Sequence, residues 1–287
     1  MNNLLPFLGV ILISNLAYSF DWQGHRGARG LYPENTIAAM KKGLQFPITT
    51  LEMDVVISKD NQVVVSHDAW MSEEICLTKD GKPVKEKEFA LYQMSYVEIK
   101  KFDCGSKTHP RFLKQEKKKE IKPLLSDLLG EMEKSGKHSY SIEIKSTKEE
   151  EELSLQPQFK QFTDLVVKSI MKKVKLEQVT LQSFDWRVIN YIHDKYPNIK
   201  TVALIEVPYD FQNVLKEFKK NPTVFSPDYK MLTKEQVDFF HSKQIKVIPW
   251  TVNEIAPMKE LKTMGVDGII TDYPNLIQEV EQEKILK

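Results

Sequence analysis

Short apolar runs alternate with amphipathic stretches along most of this chain. Leu51 to Ile57 is dense in aliphatic and β-branched residues and reads as a strand. Asp60-Asn61 turns it into a second apolar run, Val63 to Val65, which leads to His67-Asp68. Upstream, Asp21 to His25 reads as a first strand, ended by the glycine-rich turn Gly24 to Gly30. Pro33 to Gly43 reads as a helix, with Asn35 as its N-cap and Ile37, Met40 and Leu44 on one face.

From Leu124 the alternation becomes regular. Helical periodicity covers Leu124 to Glu133, Phe159 to Lys173, Trp186 to Tyr196, Phe211 to Lys219, Thr233 to Lys243, Ile255 to Met264 and Leu276 to Lys287. Strand patterns fall between them at Ser139 to Lys145, Val179 to Ser183, Thr201 to Ile205, Thr223 to Phe225, Lys246 to Val252 and Gly268 to Thr271. Strands that alternate with helices over short connections run parallel. Eight such units match a TIM-type (β/α)₈ barrel, typically about 250 residues long. A doubly wound open sheet is the alternative, but no G-x-G-x-x-G opens a helix after the first strand. Ala69 to about Lys122 breaks the rhythm and reads as an insertion of loops, short helices and a hairpin. Lys114 to Lys122, a charged run within it, reads as a solvated face.

In such a barrel, chemistry sits at the C-terminal ends of the strands. Those ends carry His25-Arg26, Glu52 and Asp54, His67-Asp68, Glu143 and Lys145, Gln182-Ser183, Glu206, Trp250, Asn253 and Asp272. Residues two apart on a strand share a face, so Glu52 and Asp54 point the same way. Two adjacent carboxylates repel each other unless a cation lies between them. Glu52, Asp54 and Glu143 together make a hard oxygen site, suited to Ca²⁺ or Mg²⁺ rather than zinc. Arg26 and Lys145 add fixed positive charge of the kind a phosphate group requires. His25 and His67, with ordinary pKa values near ~6.5, are candidates for a base and an acid. Asp272 reads equally as a site residue or as a cap for the last loop, and Trp250 equally as core or as site.

Composition narrows the partners. The 287 residues carry 41 basic and 40 acidic side chains, a net charge of +1, so no field gathers nucleic acid. Two cysteines and six histidines exclude a zinc-finger array or a disulfide-dense scaffold. Leu4 to Leu16 is apolar but shorter than the roughly 20 residues of a membrane span. Ala17-Tyr18-Ser19 follows it. Residues 1–19 therefore read as a secretory signal cleaved before Phe20, although no Lys or Arg precedes the apolar run; an uncleaved anchor or a buried helix is the alternative. The mature domain would span residues 20–287 in the periplasm or outside the cell, with no stable membrane anchor. An oxidising compartment permits a Cys76–Cys104 bridge, with two free thiols as the alternative.

The motifs H-R-G at His25, P-E-N-T at Pro33, E-x-D-V at Glu52, H-D at His67, I-E-I-K at Ile142 and T-D-x-P at Thr271 occur in one order that resembles the glycerophosphodiester phosphodiesterase family. The signal and the insertion resemble its periplasmic bacterial members. The resemblance implies a TIM barrel that hydrolyses glycerophosphodiesters to glycerol 3-phosphate and an alcohol with one divalent cation. It implies Glu52, Asp54 and Glu143 as metal ligands and His25 and His67 as the acid–base pair. Arg26 and Lys145 would lie on the phosphate and Trp250 against the glycerol, with a cyclic phosphate formed by the substrate's own hydroxyl. No Ser or Cys nucleophile with a base beside it competes with that reading. Two rival readings share the barrel: phospholipase C- or D-like cleavage of a membrane lipid, and a non-catalytic surface binding protein.

Overall fold

The computed structural model describes residues 20–282, so the secretory-signal reading of residues 1–19 and the end of the last helix lie outside the described residues. Among the described residues, nine strands form one sheet: β1 Asp21–Gly24, β2 Thr50–Ile57, β3 Val63–Val65, β4 Ser139–Ile144, β5 Val179–Ser183, β6 Lys200–Ile205, β7 Val224–Pro227, β8 Lys246–Val247 and β9 Gly268–Thr271. Their order is β8-β7-β6-β5-β4-β2-β1-β9, every pair parallel, while β3 folds back antiparallel on β2. Backbone bonds from Asp267 to Val247 (2.8 Å), Ile270 to Pro249 (3.1 Å) and Val252 to Ile270 (3.0 Å) join the last strand to the β8 segment and close the barrel.

The helices are α1 Ile37–Gly43, α2 Tyr96–Ile99, α3 Leu125–Met132, α4 Lys148–Glu152, α5 Phe159–Met171, α6 Trp186–Lys195, α7 Lys234–Ser242, α8 Ile255–Met264 and α9 Ile277–Gln282. Alternation along the strands separates two environments. Outward residues such as Met53, Val55, Ile142 and Leu181 pack on Leu128, Phe162, Val166 and Ile170 of α3 and α5. Phe225, Val247 and Ile269 do the same against Val237, Phe240 and Leu261 of α7 and α8. Burying one such side chain is worth about 1.5–3 kcal/mol. Within the barrel, Val202, Leu204, Val224, Ile248 and Ile270 form an apolar cluster, whereas Gln23, Glu52, Ser141 and Gln182 are buried polar groups.

Five readings of the pattern change. Asn35 is not the cap of α1: Thr36 is, its hydroxyl accepting from the Ala39 amide at 3.1 Å. Asn35 instead sits in the left-handed region (φ 57°), its amide turned to Asp54 on β2. The helix expected over 211–219 is a 3₁₀ turn, Val214–Glu217. Asn190 of α6 takes the carbonyl of Glu217 and the amide of Lys219, so tertiary bonds replace the last helical turn. The strand expected over 246–252 is regular only at Lys246–Val247: Pro249 has no N–H to offer, and beyond it the pairing continues as isolated bonds of Trp250 and Val252. The helix start at Pro33 moves to Ile37. Lys122, read as part of a solvated run, is buried, with Nζ donating to Ser66 Oγ at 2.9 Å.

Residues 69–122 form a small layer with its own core. Met71, Ile75, Leu91, Ile99 and Phe102 pack on Val56 and Val64 of the β2–β3 hairpin. A disulfide joins Cys76 to Cys104 within it.

Candidate functional site

Register brings the acids together. β2 pairs with β4 so that Asp54 lies opposite Glu143, and β4 pairs with β5 so that Glu143 lies opposite Gln182. Glu52, two residues before Asp54, shares its face. One oxygen from each of Glu52, Asp54 and Glu143 lies within 4.8 Å of the others, and all three residues are buried. Neighbours hold two of them in place. Gln182 Nε2 donates to Glu52 Oε1 at 2.7 Å, and the Arg26 amide donates to Glu52 Oε2 at 2.8 Å. Asn35 Nδ2 donates to Asp54 Oδ2 at 2.8 Å.

The charges are not balanced without a cation. Burial, with Asp54 alongside, raises the Glu52 carboxyl well above its usual range. Burial and Asp54 likewise push Glu143 up to about 7, against the pull of Lys145. Asp54 stays ionised: burial opposes its charge, but Arg26 and Lys145 outweigh it. Asp54 Oδ1 is buried with no hydrogen-bond partner. An all-carboxylate donor set with one oxygen left unsatisfied fits a hard divalent ion, and it carries no Cys or His ligand that would favour zinc.

His25 follows the end of β1, where the chain turns sharply. Arg26 is left-handed (φ 49°). At Gly27 (φ 87°) a Cβ would come within 2.6 Å of the Ala39 backbone, so only glycine fits. His25 Nδ1 lies 2.6 Å from Asp272 Oδ1, and its Nε2 lies 4.0 Å from Glu52 Oε2. Asp272 is anchored in turn by Arg29 (2.9 and 3.0 Å) and by Asn253 Nδ2 (2.7 Å). Burial, then Arg29, pushes His25 down to about 4, against the Asp272 carboxylate. The imidazole is therefore neutral at neutral pH, with Nδ1–H on Asp272 and Nε2 free to take a proton. His67 also falls below its ordinary value, through burial and then Arg26. Its Nδ1 meets Asp68 at 2.8 Å and its Nε2 meets Lys145 Nζ at 3.1 Å.

Lys145 Nζ also lies 3.0 Å from Glu143 Oε1. The Arg26 guanidinium is held between Glu34 (2.6 Å) and Asp54 (3.1 Å). Trp250 stands edge-on to Phe184 at 5.4 Å, its indole N–H on the Ser226 carbonyl at 2.9 Å. All eight residues singled out by the sequence except Asp54 line one cavity of ≈ 470 Å³ at the C-terminal end of the barrel, and Asp54 lies in the acid cluster beneath it. A cavity of ≈ 490 Å³ opens at the other end, around Gln23, Thr50, Ser139 and Thr180. It holds no histidine and no metal-type cluster among the described residues, so size does not mark the site.

Sequence reasoning did not assign the supporting groups. Asp272, read equally as a site residue or a loop cap, is the partner of His25. Arg29, Asn35, Glu34 and Gln182 fix the residues that face the cavity, and only Asn35 and Glu34, inside P-E-N-T, sat in a motif that pointed to them.

A parallel barrel with buried carboxylates, two histidines and two cations at its C-terminal rim is an arrangement suited to metal-assisted hydrolysis of phosphate esters. The model of the "Glycerophosphoryl diester phosphodiesterase family" matches residues 25–276. A "Glycerophosphodiester phosphodiesterase" of Bacillus subtilis is 32% identical over 269 residues, covering 90% of this chain and 85% of its own. A solved Silicibacter pomeroyi structure assigned to glycerophosphoryl diester phosphodiesterases superposes with a TM-score of 0.85 at 26% identity, covering 93% of this chain and 95% of the other. An Oleispira antarctica phosphodiesterase, solved with the product sn-glycerol-3-phosphate, superposes at 0.75 with 22% identity, covering 91% and 96%. The chain belongs to the glycerophosphoryl diester phosphodiesterase family and is a phosphoric diester hydrolase.

Proposed function

We propose that this enzyme hydrolyses glycerophosphodiesters to glycerol 3-phosphate and an alcohol through His25 and His67, with one Ca²⁺ or Mg²⁺ held by Glu52, Asp54 and Glu143. The observation that carries the reading is the convergence of those three buried carboxylates beside both histidines. The bound cation would neutralise charge on the phosphoryl oxygens. Arg26 and Lys145 border the same space and add positive charge there. The apolar wall of Phe184, Leu204, Trp250 and Ile270 suits the carbon skeleton of the glycerol.

His25 is the base in this reading. Asp272 holds its Nδ1–H and leaves Nε2 open toward the glycerol 2-hydroxyl. His67 enters protonated: as that hydroxyl attacks phosphorus, its imidazolium passes a proton to the departing alcohol oxygen and is left neutral. Water then opens the cyclic phosphate with the two roles exchanged, which restores both imidazoles. General acid–base help of this kind is worth roughly 10²–10⁴-fold per group. The test follows glycerol 3-phosphate release from glycerophosphocholine by a coupled dehydrogenase, with Ca²⁺ or Mg²⁺ and after chelation. His25→Ala and His67→Ala should each abolish turnover in a folded protein. Near-normal activity in either would remove that histidine from the mechanism, and cleavage of intact phospholipid vesicles in preference to the deacylated diester would favour the phospholipase reading.

The proposed setting is the periplasm or the cell exterior, after removal of residues 1–19. Supporting it are the apolar run ending in Ala17-Tyr18-Ser19 and the Cys76–Cys104 disulfide, a bond that persists in oxidising compartments. An intact Met1 on the exported protein would overturn the cleavage.

A further inference from the structure

The layer of residues 69–122 ends on a buried lysine that the reaction above does not use. Backbone bonds seat that end against the strand leading into His67. The Val65 amide donates to the Pro123 carbonyl at 2.9 Å, and Val64 pairs antiparallel with Leu124. Two residues on from Val64 and two back from Leu124, that register sets Ser66 opposite Lys122. Both are buried. Lys122 Nζ donates to Ser66 Oγ at 2.9 Å, and that hydroxyl donates to the Asp68 carbonyl, also at 2.9 Å. The Ser66 amide donates to the Asp54 carbonyl at 3.0 Å, which ties the same turn to β2. His67 lies between these two anchored residues, with its Nδ1 2.8 Å from Asp68 Oδ1.

An ammonium is a costly way to fill that place. Its one hydrogen bond among the described residues goes to Ser66, and none of their carboxylates lies within ion-pair distance of it. A buried charge without a contact partner destabilises a fold, whereas an apolar side chain of similar volume does not. Burial pulls Lys122 below the ordinary lysine range, and Asp68 and then Glu34 pull the other way. Those two carboxylates are the ones that hold His67 and Arg26. The charge therefore acts on supports of the catalytic residues. We propose that Lys122 is a positioning residue for the acid: through Ser66 it pins the turn so that Asp68 holds the His67 Nδ1–H and Nε2 faces the departing oxygen. The inference rests on the reading of His67 as the acid and adds the group that sets its geometry.

The experiment compares two diesters of glycerol 3-phosphate with Ca²⁺ or Mg²⁺ present. Glycerophosphocholine must receive a proton on its departing alkoxide oxygen, whereas the p-nitrophenyl diester releases a stable phenolate that needs none. The quantity followed is kcat/KM, which reports the steps through departure of the alcohol. Lys122→Met should lower it about ten- to a hundredfold for glycerophosphocholine, the scale of a displaced catalytic group, and less than about threefold for the p-nitrophenyl diester. Its Tm should hold or rise, because a buried charge has gone. Ser66→Ala breaks the same link by removing one oxygen and should show the same contrast; it carries the test if Lys122→Met folds poorly. Equal losses on both diesters, or no loss in a folded variant, overturn the role of Lys122. His67→Ala separates that failure from failure of the underlying reading: if it too lowers both diesters alike, the assignment of the acid falls, and the role of Lys122 with it.

Discussion

Replacing Asp272 by Asn tests how the barrel sets the protonation of His25. The carboxylate has no spare oxygen: Oδ1 takes His25 Nδ1 at 2.6 Å and Arg29 Nε at 2.9 Å, while Oδ2 takes Arg29 Nη2 at 3.0 Å and Asn253 Nδ2 at 2.7 Å. An asparagine must point its NH₂ at one of these two pairs of donors. Turned toward Oδ2, it opposes Arg29 and Asn253. Turned toward Oδ1, it opposes Arg29 and forces His25 to accept at Nδ1, which moves the imidazole proton to Nε2 and removes the base. Either way, the Arg29 guanidinium loses its close carboxylate; Glu34 is 3.9 Å away. Breaking one side of a buried pair costs roughly 3–5 kcal/mol. Loss of the base function should lower kcat by about 10²–10⁴. Turnover of glycerophosphocholine gives the second number and urea unfolding the first. The decisive signal is the split: kcat should collapse with KM changed little, and a rise in pH should not restore it. A variant with kcat within threefold of wild type would refute the claim that Asp272 sets the tautomer.

Four further outcomes can be checked. His25 sits at about 4 in the fold against ~6.5 unfolded, so the unfolded chain binds more protons between those values and stability should decline as pH falls from about 6.5 toward 4, by up to about 3 kcal/mol from this group. Urea titrations should show that extra slope in wild type and its loss in His25→Gln; equal slopes would sink the assignment. Chelation should abolish diester turnover, and Ca²⁺ or Mg²⁺ at about a hundredfold over Kd should stabilise the fold by about 2.7 kcal/mol, read as a rise in Tm; no shift with any divalent cation would count against the carboxylate site. Opening the Cys76–Cys104 bridge, which spans a separation of 28 residues, should cost about 3–4 kcal/mol in the loop-entropy model, and alkylation should add mass only after reduction. Thr36→Ala should cost about 1 kcal/mol through the lost cap on α1, whereas an effect that size from the cap alone is not expected of Asn35→Ala, which instead loosens Asp54.

Alternation along the chain was enough to specify a (β/α)₈ barrel, because a period of two against one of 3.6 is written locally in the order of apolar residues. The same local rule put Glu52 and Asp54 on one face and placed His25 and Glu143 at strand ends, so the principal candidates were legible before any coordinates. Partnerships across the barrel were not. Asp272 meets His25 across 247 residues of chain, Gln182 meets Glu52 across 130, and Lys122 leaves a charged run for Ser66. None of these follows from neighbours in sequence; each depends on strand register and on how the 69–122 layer seats itself on the hairpin. Where the local pattern misled, at Asn35, at 211–219 and at 246–252, a tertiary hydrogen bond or a proline outweighed a propensity worth only tenths of a kcal/mol to about 1 kcal/mol per residue.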